Sequence, residues 1–452
     1  MIPAPRYKVF GVNNFRKIPQ VEIHLSEDEQ FAIEVVGSVL PFKVNNYVID
    51  ELIDWDNIRT DPMFILTFPQ KEMLSKDHFD KMATAILEGM SKSDLKAIAN
   101  EIRYQLNPHP AGQQQMNVPE IDGIKLPGIQ HKYDQTILFF PQHGQTCHAY
   151  CTFCFRWPQF VGIDELKFAM KETELMVKYL KAHPEVTDVL FTGGDPMIMK
   201  ADRLRNYILP LLEADLPNLQ TIRIGSKALG YWPYRFTHDK DADEVLDIFR
   251  KVSEAGKHLA FMAHFNSPAE LKTEAVAQAV KAIRLTGAEI RTQSPIMRNI
   301  NDSSEAWATM WKEQVRLGMI PYYMFLARDT GPQNYFAVPL IKTWKIFQKA
   351  YSQVSGVART VRGPSMSAGP GKVHIIGPAV VAGEKVILLN FIQGRNPNWV
   401  NKPFTAKYDT RSIWLDDLVP AFGEDKFFFE EEYKELRKDS LTNVPQELVP
   451  SF

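Results

Sequence analysis

Cysteine is nearly absent: three in 452 residues, too few and the wrong parity for the disulfide framework of a secreted chain. No apolar run approaches the roughly 18 residues of a membrane-spanning helix, and no internal repeat or low-complexity tract stands out. An excess of charge of either sign is missing too. With 52 Lys+Arg against 54 Asp+Glu, the formal net charge is -2, so no overall positive field draws the chain onto nucleic acid or anionic membrane. The opening MIPAPRYKVFGVNNFRK has no apolar core behind its basic residues, so no secretory signal is expected there. These absences predict a soluble cytoplasmic globular protein. At 452 residues there is room for two or three domains, or for one large α/β domain with additions at its ends.

The cysteines that exist fall in one short window, Cys147-His148-Ala149-Tyr150-Cys151-Thr152-Phe153-Cys154. Scattered structural thiols would not land together, so the three act as a set. A closed zinc site wants four ligands, and His143 or His148 could supply the fourth. The C-x3-C-x2-C spacing fits another chemistry with no fourth residue. Three thiolates hold three irons of a [4Fe-4S] cube and leave the fourth iron open to an outside ligand.

From about residue 135, short β-branched or aromatic runs recur: TILFF at 136–140, DVLFT at 188–192, TIRI at 221–224, LAFMA at 259–263, EIRT at 289–292 and YYMF at 322–325. Amphipathic segments lie between them, such as 201–212, 241–255, 268–285 and 303–317. Strands separated by helices pair in parallel, and six such units predict an α/β fold, a partial (β/α)6 barrel with its chemistry on the loops after the strands. Residues 1–125 read as a mostly helical N-terminal region, with amphipathic spacing over 76–104 and a connector at Pro108, Pro110 and Gly112. Residues 126–375 read as the barrel. Residues 376–452 read as a C-terminal extension whose FFFEEEYKELRKD is a solvated or interface helix.

Each unusual cluster falls at a strand end. The cysteines follow the first strand, Gly193-Gly194-Asp195-Pro196 the second, Gly225-Ser226 the third and His264-Phe265-Asn266 the fourth. Gln293 ends the fifth, and Arg328-Asp329 lie past the sixth. One mouth is expected to collect them all.

The cysteine loop, with Phe153 before its last cysteine, and the Gly193-Gly194-Asp195 turn resemble the radical S-adenosylmethionine (SAM) enzymes. FTGGDPM, IRIGS, AHFNSP, INDS and IPYYMF, in that order and spacing, are similar to the lysine 2,3-aminomutase family, from about residue 107 to 390. The resemblance implies a radical SAM barrel whose [4Fe-4S] cluster binds the amino and carboxylate groups of SAM at its open iron. An electron from the cluster then cleaves SAM, and the 5′-deoxyadenosyl radical takes a hydrogen atom from the substrate. It implies pyridoxal 5′-phosphate (PLP) as a second cofactor and an isomerase that moves an amino group from C2 to C3 of an amino acid. It also implies a flavodoxin- or ferredoxin-like electron donor and a homo-oligomer.

Carried onto this sequence, the resemblance makes Cys147, Cys151 and Cys154 the cluster ligands. Gly193, Gly194 and Asp195 receive the methionine amino group of SAM, glycine allowing close backbone approach. His264 and Gln293 match positions lining the SAM site. Lys372, ending Ser367-Ala368-Gly369-Pro370-Gly371-Lys372, matches the lysine that holds PLP as a Schiff base. That role needs a buried or crowded amine of lowered pKa; on its own, a Gly-Lys pair reads as an exposed loop. Val373 stands where a phosphate-binding P-loop would carry Ser or Thr, which excludes that reading. Thr152 and Phe153 stand where the family has basic residues for the PLP phosphate, so Lys132, His143 or His148 would have to supply that charge.

Arg156 matches the family arginine that pairs with the substrate carboxylate, a contact whose fork geometry fixes orientation. Lysine-acting members present two aspartates to the distal ammonium; their positions fall here on Arg328 and Ser365, with Asp329 one residue off register. A buried cation opposes an ammonium and favours a carboxylate, so an acidic, glutamate-like amino acid is the expected substrate. The alternative is a PLP-free radical SAM enzyme on the same barrel, acting on another small molecule or a protein side chain.

Overall fold

The computed structural model describes residues 5–107, 117–162 and 168–441; the connector expected at Pro108, Pro110 and Gly112 lies outside them. Eleven strands form one sheet whose spatial order is the chain order. They are β1 (Ile129–Tyr133), β2 (Thr136–Phe139), β3 (Asp188–Phe191), β4 (Thr221–Ser226), β5 (His258–His264), β6 (Glu289–Ile296), β7 (Ile320–Leu326), β8 (Arg362–Ser367), β9 (Gly371–Val381), β10 (Glu384–Gly394) and β11 (Pro403–Lys407). Successive strands from β2 to β8 pair in parallel. β1 joins one end antiparallel, and β9 to β11 extend the other end in the same way.

Helices Thr173–Ala182, Ala201–Glu213, Ala242–Glu254, Glu274–Arg284, Ser304–Arg316 and Leu340–Ser352 return the chain between successive parallel strands. The partial (β/α)6 barrel expected from the sequence is therefore present, with β8 added as a further parallel strand. Helix Ala242–Glu254 shows why the pattern was readable. It buries Val245, Ile248, Phe249 and Val252, a three-and-four spacing that puts one stripe on the sheet. β4 alternates buried and half-buried residues. β5 is buried along its middle without alternation, as a strand covered on both faces must be.

Several boundaries differ from expectation. β4 and β6 run further than their apolar runs, so Gly225, Ser226 and Gln293 lie within strands. The helix expected over 268–285 is divided: Pro268–Leu271 forms a 3-10 turn, and the Thr273 hydroxyl then accepts the Val276 amide and starts helix Glu274–Arg284 afresh. The boundary expected at 375 falls inside β9, whose Val373 and Ile375 belong to the barrel core. The Phe427-Phe428-Phe429 run, expected as part of a solvated or interface helix, precedes helix Glu430–Leu441. Phe427 and Phe429 are buried, packed on Phe404 and Phe391.

The N-terminal helices Glu27–Val39, Lys76–Leu87 and Lys92–Leu106 build a second core that takes in Ala149, Trp157, Tyr231, Trp232 and Met297. Those side chains stand on loops beyond the parallel strands, so the N-terminal region covers the barrel mouth. At the seam of the sheet, Lys132 Nζ on β1 donates to the Ala368 carbonyl just past β8, at 2.8 Å. That side-chain contact links β1 to the end of β8 across the opening of the partial barrel. No helix among the described residues is long and apolar enough to cross a membrane.

Candidate active site

The cysteine loop leaves β2 and carries many backbone groups under the N-terminal cover, where each needs a partner. The cover supplies them. Lys43 Nζ donates to the Cys147 carbonyl at 2.6 Å, and Tyr7 Oη donates to that of His148 at 2.7 Å. The Tyr150 amide donates to the Lys43 carbonyl, and the Thr152 amide to that of Leu66. The Thr152 hydroxyl donates to the Ile65 carbonyl at 2.8 Å. Three thiols are thereby held in one small enclosure. Burial, Asp195 and the neighbouring sulfurs push the Cys147 thiol up, and burial pushes that of Cys151 up to about 12. Thiolates so enclosed need metal cations among them. Among the described residues no His, Cys, Asp or Glu side chains converge closely enough for three of them to share one metal ion. A [4Fe-4S] cube would take each of the three thiolates on a separate iron.

The turn after β3 locks onto this loop. A Cβ on Gly194 would lie 2.5 Å from the backbone nitrogen and oxygen of Thr146, and one on Gly193, at φ +145°, 2.4 Å from Gln145 Nε2. Gly194→Ala is expected to cost about 1–3 kcal/mol through that overlap, seen as a lower melting temperature and poorer iron retention. Asp195, expected at the SAM site, is tied into this turn. Its carboxylate accepts the Met197 amide at 2.9 Å, the Ser226 hydroxyl at 3.0 Å and the Lys227 amide at 2.8 Å. Its own amide donates to the Gly144 and Thr146 carbonyls. Burial raises its pKa to about 6. Asp195 thereby ties β3, β4 and the cysteine loop together.

His264 and Gln293 stand side by side on β5 and β6. The His264 ring stacks on Phe153 of the cysteine loop, 6.2 Å between centroids and 23° between planes. Burial and the Lys227 charge hold that ring neutral, its pKa lowered to about 3. Of the two positions expected to line the SAM site, His264 thus meets the cysteine loop, with Gln293 beside it on the next strand.

A second group lies further round the mouth. Arg156 and Arg328 approach the ring of Phe155, at 5.1 and 5.3 Å from its centroid. Burial lowers the Arg156 pKa to about 10, the Arg328 charge adding to it and Cys154 opposing. Arg328 Nε also donates to Asp329 Oδ1 at 3.2 Å. Ser365 is fully buried in β8. Lys372, second residue of β9, points into the barrel: its Nζ lies 4.2 Å from the Tyr323 ring centroid and donates to Gln393 Oε1 at 3.0 Å. Burial lowers its pKa to about 7, with Arg223 and Arg362 adding to the effect and Tyr322 opposing it. Lys132 is held well below its ordinary value by burial and by the charges of Arg395, Arg328 and Lys372. His143 is spent on Tyr207 Oη at 2.9 Å, and His148 is buried edge-on to Tyr7.

A protein of Aquifex aeolicus provisionally named L-lysine 2,3-aminomutase is 31% identical over 402 residues, 89% of this chain and 94% of that one. The chain belongs to the lysine 2,3-aminomutase family. It is thereby an isomerase of the radical SAM type. L-lysine 2,3-aminomutase of Bacillus subtilis is 25% identical over 82% of this chain and 68% of its own length. That of Acetoanaerobium sticklandii is 26% identical over 73% and 78%. No family model matches the chain. Among solved structures, native anSMEcpe with bound AdoMet and Cp18Cys peptide gives a TM-score of 0.36 at 12% identity over 50% of this chain and 63% of that one; the architecture is established by the strand order and register above.

Within this aminomutase-family site, four residues carried no sequence signal. Lys227 Nζ pairs with Glu270 Oε1 in a buried ion pair, and Glu270 Oε2 accepts the Asn266 and Ser267 amides. Tyr231 Oη lies 3.2 Å from Cys151 Sγ. Asn45 Nδ2 donates both to the Tyr231 carbonyl at 2.9 Å and to that of His148 at 3.2 Å. Each joins partners tens to hundreds of residues apart.

Proposed function

We propose that this aminomutase uses a [4Fe-4S] cluster, SAM and PLP to move the amino group of an acidic, glutamate-like amino acid from C2 to C3. The observation that carries this reading is Lys372. An amine lining the barrel, close to half-neutral at physiological pH because burial lowers its pKa to about 7, is what covalent attachment of a carbonyl cofactor requires.

When bound, the cluster and SAM supply an electron and a primary carbon radical, and PLP supplies a carbonyl that holds the migrating nitrogen. The chain's residues do the rest. Cys147, Cys151 and Cys154 would hold three irons. Gly193 and Gly194 offer backbone to the methionine amino group, beside His264 and Gln293. Arg156 would pair with the α-carboxylate and Arg328 with the distal one, while Phe155 fixes the two guanidinium groups. Lys372 Nζ holds and releases a proton as the cofactor enters and leaves. Lys132 Nζ and Arg395 Nε, both anchored on carbonyls of the loop before Lys372, would donate to a phosphate there, whose charge would favour the protonated form of Lys132. The N-terminal cover excludes water from the radical's path. A flavodoxin- or ferredoxin-like electron donor, a homo-oligomeric assembly and a cytoplasmic location complete the reading.

Anaerobic turnover of glutamate against lysine tests the substrate. Glutamate is expected to be preferred, and Arg328→Ala to lose about 10²-fold in kcat/KM on it, as for an unpaired buried charge worth about 3 kcal/mol. Preference for lysine, or indifference to Arg328→Ala, contradicts the acidic substrate. The PLP-free alternative draws on one observation: Thr152 and Phe153 face Ile65 and His264 rather than the Lys372 loop.

A further inference from the structure

We propose that Tyr231 is a positioning residue of the iron–sulfur cluster, its phenol donating to the Cys151 sulfur and thereby making the cluster easier to reduce. The inference rests on the cluster reading given above. Among the described residues, Cys151 Sγ is the one thiol sulfur with a side-chain hydrogen-bond partner, Tyr231 Oη at 3.2 Å. A thiolate on iron has no hydrogen, so in the loaded protein the phenol must be the donor. Hydrogen bonds to cluster sulfurs are among the levers that set a reduction potential. A donor draws charge from the sulfur and stabilises the more negative, reduced state. One electron from an outside reductant enters the cluster; no bond is made or broken at Tyr231, and its proton stays on its oxygen.

The surroundings are built to hold that phenol still. Tyr231 is fully buried at the end of a single helical turn, Ala228–Tyr231, which Ser226 starts by accepting the Ala228 amide at 2.9 Å. Asn45, itself fully buried, binds the carbonyls of Tyr231 and His148 with one amide group, so the loops carrying the phenol and the cysteine move together. Gly230 lets the turn sit against Glu270: a Cβ there would lie 2.4 Å from Glu270 Oε1. Lys227 Nζ, 4.4 Å from the Tyr231 ring centroid, pairs with Glu270. The ion pair fixes the ring, and the Lys227 charge acts on the Cys151 sulfur together with the phenol.

The test compares reconstituted wild type with Tyr231→Phe in a mediated redox titration, the reduced cluster read by electron paramagnetic resonance. At equal potential the oxidised-to-reduced ratio of the variant is expected to be about tenfold higher, a midpoint ~59 mV lower for a one-electron couple, with iron content unchanged. An unchanged midpoint at full iron content overturns the proposal. If Tyr231→Phe assembles no cluster, deuterium ENDOR on wild type exchanged into heavy water decides: a strongly coupled exchangeable deuteron at the cluster supports the hydrogen bond, and its absence overturns it. Wild-type protein that takes up no iron would remove the cluster reading itself, an outcome distinct from either.

Discussion

Lys372→Ala is expected to leave a folded chain that binds iron but no covalent pyridoxal, and that turns over no amino acid. The side chain lies against Tyr323 with one hydrogen bond, to Gln393. Truncation therefore opens space in the barrel and removes a desolvated cation, without breaking an ion pair. The melting temperature should hold or rise, while wild type incubated with PLP shows a visible band that borohydride fixes to Lys372. The pH dependence has a definite sign. A free lysine titrates near 10.4, but this one is held down to about 7 by burial. The neutral, nucleophilic amine is the major form above that value, so the rate of pyridoxal attachment should rise through about pH 7 and then level. An ordinary lysine would keep gaining rate for several further pH units. Folding has the matching dependence. Between about 10.4 and about 7 the unfolded lysine binds a proton that the folded one refuses, so this site lowers stability as pH falls across that window.

Cys151→Ala is expected to abolish SAM cleavage while leaving the barrel intact. None of the cysteines lies on a strand, and the loop's backbone is held by Lys43, Tyr7 and Leu66 whatever the cysteine side chain. Iron should fall from about four per chain to a small remainder, and 5′-deoxyadenosine formed with dithionite should drop to background. Equal losses are expected at Cys147 and Cys154, because each thiolate holds its own iron. Retention of a full cluster in any one of the three variants would mean that the ligand set has been misassigned.

Much of this was legible in the sequence because the relevant forces are local. The six apolar runs and the stripes between them fixed the parallel strands and helices, and cysteine spacing pointed to the cluster loop. What escaped was set by distant partners or by weak local pattern. β8 reads RGPSMS, with a glycine and a proline and no apolar alternation, and becomes a strand because β7 and β9 flank it. Asp195 stood out in the sequence as a ligand residue, while the tie its buried carboxylate makes to β4 and the turn that follows left no local pattern. Asn45 and Lys43 lie about a hundred residues before the loop they clamp, so no window along the chain could connect them. Arg328 was expected from the sequence as a cation at the mouth; its bond to Asp329 and its place beside Phe155 needed coordinates.

Amino transfer itself is the most direct measurement. Glutamate carrying heavy nitrogen at C2 is incubated anaerobically with the wild-type enzyme, SAM, PLP and dithionite, and the products are read by NMR and mass spectrometry. The label should appear on C3 of a β-amino acid, and only when PLP is present. Label that stays on C2 or leaves as ammonia, while 5′-deoxyadenosine accumulates at the same rate with and without PLP, would contradict a PLP-dependent aminomutase acting on glutamate.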